Sequence, residues 1–310
     1  MSSNGGAVIT VDKLVKTYGS LRAVDGISFS VRRGEVFGLL GPNGAGKTTT
    51  LEIIESLKKR TSGTVDVLGL DPSKQRDAVK ERIGVQLQAA AYYDELTLTE
   101  LLDLFGSFYK KKRAPADLLK EVNLTDKAKA RVGQLSGGQR QRFSIAASLV
   151  NDPEVVFLDE PTTGLDPQAR RNLWDFILRL KASDRTVVLT THYMEEAELL
   201  ADRLAIIDHG KIVSMGTPRE LIASLDRACT VTFVLRGPSK LEELKKLPTV
   251  RAGEQLNAET YKLVVGQPAT LLPQLFTWAR QAQLNVEDLQ VNPATLEDVF
   301  LAKTGHELRD

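Results

Sequence analysis

The chain has 310 residues, 42% hydrophobic and 26% charged, and its 41 basic and 40 acidic side chains leave a formal net charge of +1. These fractions exclude a disordered tail and predict two domains around a sizeable core. The charge balance excludes a global attraction to nucleic acid or anionic lipid, so any polyanion must be held by a local site. The single cysteine, Cys229, forms no intramolecular disulfide, and Met1 to Gly6 read as no charged-then-apolar leader, so a reducing cytoplasm is expected. No run of about eighteen apolar residues, the length of a membrane-spanning helix, is present.

Alternating apolar positions predict strands at Ala7 to Leu14 and Gly26 to Val31, and the short apolar run Val36 to Leu40 suits a buried strand. A helix from Lys47 to Leu57 follows, ending in Lys58, Lys59 and Arg60, where a helix dipole favours cations. Thr61-Ser62-Gly63 then turns the chain back, and Arg82 to Gln88 is a further strand. From Thr97 to Val150 the apolar spacing is helical, as in Leu101, Leu102, Leu104, Phe105 and Phe108, so this stretch is expected to be a helical insert. Strands return at Val155 to Leu158 and Thr186 to Thr190 around a helix through Arg170 to Lys181, the alternation of a parallel sheet with crossover helices. A hairpin at Asp208-His209-Gly210 and a helix at Pro218 to Leu225 close a first domain, 7–225. Beyond a break near Asp226, the order βαββαβ over 226–310 predicts a small two-layer α+β domain of ferredoxin-like order.

Gly41, Pro42, Asn43, Gly44, Ala45, Gly46, Lys47, Thr48 and Thr49 spell GPNGAGKTT between a predicted strand and helix, the context a phosphate-binding loop requires. Glycines let the loop turn its N–H groups inward, and the helix that follows presents its positive end to the same anion. Lys47 can reach β- and γ-phosphates, and the Thr48 hydroxyl suits Mg²⁺, which keeps most other ligands as water and phosphate oxygen. Val155 to Pro161 reads VVFLDEP, a strand ending in two carboxylates. Asp159 would hold Mg²⁺ through water, and Glu160 would act as base on an attacking water or orient it.

Leu135 to Gln139 reads LSGGQ shortly before that strand. With the phosphate loop and the carboxylate pair, this pentapeptide resembles the signature of ATP-binding cassette (ABC) ATPases, and the resemblance covers nearly all of Ala7 to Leu225. Ser136 also suits the N-cap of a helix over Gln139 to Val150. The resemblance implies an α/β P-loop NTPase core with an antiparallel β subdomain and a helical subdomain. It implies that Ser136, Gly137, Gly138 and Gln139 of one subunit reach the γ-phosphate of ATP held by a second, so that two cassettes, as a homodimer or a mixed pair, enclose two ATP with Mg²⁺. Tyr18, in KTYGS, matches the aromatic that stacks on adenine. Gln88, ending RIGVQLQ, matches the glutamine that senses Mg²⁺ and the attacking water, with Gln86 a near neighbour. Thr163 to Asp166 reads TGLD where many members have SALD, which makes Asp166 the cross-dimer contact, and His192 matches the histidine that holds the γ-phosphate.

The family further implies separate transmembrane permease subunits as partners and a peripheral position on the cytoplasmic membrane face, with no nucleic acid expected. Soluble cassette proteins acting on ribosomes carry two cassettes per chain, and DNA-repair members carry a long coiled coil; neither feature occurs. Ala89 to Tyr109 and Thr295 to Gly305 look like ATPases of bacterial drug or lipid exporters, while an importer ATPase is the competing reading. Importers more often append an all-β barrel, and the two helices expected in 226–310 favour a mixed domain.

Overall fold

The computed structural model describes residues 6–86, 91–225 and 229–305. The described chain divides into two compact units, one ending at Pro218 and one starting at Arg219.

In the first unit, β1 (Ala7–Tyr18) and β2 (Leu21–Arg32) form an antiparallel pair, followed by β3 (Val36–Leu40) and α1 (Lys47–Ile54). Then come β4 (Ser62–Val67), α2 (Arg76–Lys80) and β5 (Ile83–Gln86). The helical insert contains α3 (Leu98–Gly106), α4 (Pro115–Glu121) and α5 (Gly137–Ser148). It is followed by β6 (Val155–Asp159), α6 (Pro167–Ala182), β7 (Thr186–Thr191) and α7 (Met194–Leu200). The hairpin of β8 (Arg203–Asp208) and β9 (Lys211–Gly216) ends the first unit, and helix α8 (Pro218–Ala223) begins at the division.

Two sheets result: a three-stranded antiparallel sheet in the order β2-β1-β4 and a six-stranded sheet in the order β5-β6-β7-β3-β8-β9. The larger sheet is parallel except for β9. Every residue of β3, β6 and β7 is buried, as central parallel strands covered on both faces must be. Successive side chains of a strand point to opposite faces. Val155 and Phe157 accordingly join the apolar cluster of α1 and the antiparallel sheet, whereas Val156 and Leu158 join that of α3, α5 and α6. The phosphate-loop sheet is thereby clamped between two apolar layers.

The structure departs from the expected elements in several places, the unexpected helix α2 among them. Helix α1 stops at Ile54, so Lys58, Lys59 and Arg60 lie past its end and do not serve its dipole; Lys58 pairs with Glu52 at 2.7 Å and Arg60 with Asp71 at 2.9 Å. Ser62 and Gly63, read as a turn, begin strand β4, which pairs with β1. Only Val65 and Val67 are buried in that strand, too few alternations to stand out in the sequence. Helix α7 was not expected; its seven residues give periodicity little length to register.

The second unit holds β10 (Cys229–Leu235), α9 (Leu241–Leu244), β11 (Val250–Gln255), β12 (Thr260–Val265), α10 (Pro268–Gln281), β13 (Val286–Pro293) and α11 (Leu296–Thr304). Its antiparallel sheet has the order β11-β12-β10-β13, with the first and third strands central. Alternate residues of β10 and β12 are buried and pack with Leu271 and Leu275 of α10 in a core of its own.

Gly63 has φ +87°, and a Cβ there would stand 2.3 Å from the Lys13 carbonyl oxygen. The Gly63→Ala variant is therefore expected to lose about 1–3 kcal/mol of stability through left-handed strain and displacement of β1. Denaturant titration checks this; an unchanged midpoint contradicts the close approach.

Candidate active site

The loop from Gly41 to Gly46 joins the carboxyl end of β3 to the amino end of α1. Two contacts make glycine necessary in it. A Cβ on Gly41 would stand 2.1 Å from the Ile207 carbonyl oxygen, and one on Gly46, at φ +103°, 2.3 Å from that of Ala23. The loop is tied to its surroundings through Ala45, whose carbonyl accepts from Gly210 N at 3.0 Å. The β8–β9 turn thus supports the phosphate loop.

Lys47 is only 4% exposed, and its Nζ donates to the carbonyls of Gly41 (2.7 Å) and Pro42 (3.1 Å). The same Nζ lies 3.4 Å from Glu160 Oε1. Burial pulls the Lys47 pKa down, and the Glu160 charge opposes that shift. His192 Nδ1 lies 3.3 Å from the same Oε1, and Thr163 Oγ1 donates to Glu160 Oε2 at 3.3 Å. Glu160 itself has φ +46°, an unusual conformation for a non-glycine residue, and turns off the end of β6. Its backbone N donates to Thr190 Oγ1 at 2.9 Å.

Asp159 receives two hydroxyls on Oδ1, from Thr190 at 2.5 Å and Thr48 at 3.2 Å. Burial raises its pKa, while the two hydroxyl bonds lower it. The Thr48 hydroxyl and Asp159 carboxylate are hard oxygen donors side by side, and no cluster of three or more His, Cys, Asp or Glu suited to a metal occurs among the described residues. That donor set fits a cation such as Mg²⁺, which takes one or two protein oxygens and completes its shell with water and substrate phosphate.

One cleft of about 730 Å³ is lined by Tyr18, Asn43, Gly44, Gly46, Lys47, Thr48, Thr49, Glu160 and His192, and also by Leu21, Ala23, Thr163 and Tyr193; Asp159 lies behind Thr48 and does not line it. Tyr18, at the end of β1, is 42% exposed, with Lys16 Nζ 4.8 Å from its ring centre. A second hollow of about 460 Å³ gathers Ser136, Gly137, Gly138, Gln139 and Asp166, with none of the residues that line the first. Ser136 caps α5 in a reciprocal box: its Oγ accepts from Gln139 N at 3.3 Å, and Gln139 Oε1 accepts from Ser136 N at 3.0 Å. Asp166 caps α6 through Ala169 N at 2.8 Å. Gln88 lies outside the described residues; Gln86 is buried on β5.

Thr190 escaped the sequence reading. Its signal is the parallel register of β6 and β7, which sets Thr190 beside Asp159. Tyr193 escaped too, and only its place after His192 could have suggested it.

A glycine loop cradling a lysine, closed by two carboxylates and faced by a histidine, defines a P-loop nucleotide-binding protein. The model of the ABC transporter family matches residues 24–163. The chain is 41% identical over 313 residues to Nod factor export ATP-binding protein I of Ralstonia nicotianae, covering 98% of this chain and 95% of that protein. It is 39% identical to daunorubicin resistance ATP-binding protein DrrA3 of Streptomyces coeruleorubidus, with 97% of each covered, and 36% identical to linearmycin resistance ATP-binding protein LnrL of Bacillus subtilis, covering 98% and 100%. The dimeric post-hydrolysis structure of the ATP-binding cassette MJ0796, bound to ADP and Pi, matches with TM-score 0.60 and 28% identity over 67% of this chain and 98% of that one. The chain belongs to the ABC transporter family, among its ATP-binding subunits.

Two outcomes test the site. Lys47→Ala removes the one lysine inside the cradle and is expected to weaken ATP affinity at least about tenfold, as loss of a charge-assisted contact should; calorimetric titration reads it, and unchanged affinity rules out the cradle. Glu55, just past α1, has its pKa pushed from 4.5 to about 8, first by burial and then by the charges of Asp159 and Glu52. Between those values the folded chain holds the proton more tightly than the unfolded one, so this group's contribution to stability falls as pH rises from 4.5 through 8. Glu55→Gln is expected to gain stability relative to wild type across that interval, which denaturation at pH 5 and pH 8 measures.

Proposed function

We propose that this chain hydrolyses ATP and energises export through separate transmembrane subunits, two cassettes closing over two nucleotides. The observation that carries the reading is the convergence of Lys47 Nζ and His192 Nδ1 on Glu160 Oε1 within one cleft, where Thr48 bonds to the buried Asp159 behind it.

In this reading Tyr18 stacks on adenine, and the backbone N–H groups of Gly44 to Thr49 surround the β- and γ-phosphates at the start of α1. Lys47 and His192 meet the γ-phosphate, and Gln88 orients the attacking water. Glu160 accepts a proton from that water as its oxygen bonds to the γ-phosphorus. The bond from the γ-phosphorus to the β,γ-bridging oxygen breaks, and ADP leaves with that electron pair. Thr48 and Asp159 would hold Mg²⁺, which would supply positive charge to offset that of the phosphates.

Ser136 to Gln139 and Asp166 line a hollow separate from the cleft, as expected if they serve the nucleotide of a facing cassette. The dimeric MJ0796 structures support that pairing. The export direction is supported by relatives named for Nod factor export and drug resistance, which match nearly the whole chain, C-terminal unit included. No described helix is long and apolar enough to cross a membrane. The reading places the membrane-embedded path in separate subunits and this chain peripherally on their cytoplasmic face. The residues from 226 onward are read as an accessory domain; among the described residues there, none lines the cleft or the second hollow.

Glu160→Gln keeps the cradle but cannot accept the proton, so it is expected to retain ATP binding, lose at least about a hundredfold in turnover, and accumulate as an ATP-bound dimer. Phosphate release and size-exclusion chromatography with ATP read both effects. Wild-type turnover by this variant overturns the role of Glu160.

A further inference from the structure

Glu196 is fully buried in the first turn of α7, four residues after His192. Its Oε1 accepts from Trp174 Nε1 of α6 at 3.0 Å. Thr162 and Thr191 lie near the same carboxyl, but its Oε2 and the Thr162 hydroxyl have no hydrogen-bond partner among the described residues. Both threonines are themselves buried, at 0% and 1% exposure. Thr162 follows Glu160 by two positions and Thr191 immediately precedes His192. One carboxyl therefore stands where the segment leaving β6, the segment leaving β7 and helix α6 meet.

A second contact runs beside it. The Arg170 guanidinium of α6 lies 4.3 Å from the Tyr193 ring centre, and that ring is 4.1 Å from the His192 imidazole. Helix α6 opens at Asp166, which caps it. Burying a carboxyl without need is costly, because it must be paired or protonated to remain in the interior. Apolar packing alone would join α6 to α7 at less expense, so the arrangement points to a requirement for direction.

We propose that Glu196 is a positioning residue for hydrolysis, holding His192 near the Glu160 site by tying α7, which starts two residues after that histidine, to Trp174 of α6. This rests on the hydrolytic reading of Glu160 and His192. Glu196 lines neither hollow, so removing it leaves the phosphate cradle and the signature residues in place.

The test is steady-state ATP hydrolysis by the full-length chain, with ATP affinity measured separately. Glu196→Ala is expected to lower kcat about 10- to 100-fold, the loss that misplacing a reacting group by about an ångström produces, with KM and ATP affinity within about twofold of wild type. Glu196→Gln keeps an acceptor for Trp174 Nε1 and is expected to restore kcat to within about threefold of wild type. Trp174→Phe, which retains the carboxyl and removes the donor, serves where the alanine variant does not fold, and the same selective fall in kcat is expected. Undiminished kcat in the alanine and phenylalanine variants overturns the proposal. So does equal loss of kcat and ATP affinity, or a glutamine variant as slow as the alanine one. A wild-type chain that releases no phosphate sinks the hydrolytic reading along with it, whereas turnover by wild type and Glu196→Ala alike sinks only the positioning role.

Discussion

Parallel pairing of β3, β6 and β7 brings the chemistry of this chain to one place. Leu40 lies opposite Thr191, and Asp159 opposite Thr190, so three neighbouring strands end at the same level. Each strand delivers its functional residues just beyond its carboxyl end: the phosphate loop after β3, Glu160 after β6 and His192 after β7. Parallel strands place such ends on one edge of a sheet, which is where open α/β sheets bind ligands. A one-residue slip would turn every side chain of a strand to the opposite face, and the apolar clusters on both faces of β6 oppose such a slip.

Within that frame, hydroxyl groups do the fine positioning. Thr190 Oγ1 donates to Asp159 and accepts from the backbone N of Glu160, so one side chain on β7 holds the Asp159 carboxylate and the Glu160 backbone. Thr48 adds a bond to the Asp159 carboxylate and Thr163 one to that of Glu160. Short hydroxyl side chains lose little conformational freedom and sit close to their backbones, so they hold a buried carboxylate with little room for drift. The left-handed φ of Glu160 is sustained by this surrounding network rather than by its own preference.

The second hollow is organised by helix capping. Ser136 and Asp166 each cap a helix, and the residues that would contact a facing nucleotide are thereby fixed in orientation by local backbone needs. This dual use makes LSGGQ legible: a serine and a glutamine at capping-box spacing, with glycines between them, serve both the helix start and backbone approach. The TGLD segment is legible for a similar reason, since Asp166 followed by proline marks a helix start.

The residue pattern by itself determined the phosphate loop, the strand that ends in Asp159-Glu160, the signature helix and the α/β alternation, because each is local: a few adjacent residues with fixed offsets carry the chemistry. The strand Val36–Leu40 was placed residue for residue because five consecutive buried positions between turn residues admit little else. The early end of α1, the pairing of β4 with β1, the helix after His192, and the parts taken by Thr190 and Glu196 were decided only in three dimensions. Strand register and burial join residues 31 positions apart, as in the bond from Thr190 to Asp159, and no local spacing records which hydroxyl will face which carboxylate once the sheet closes.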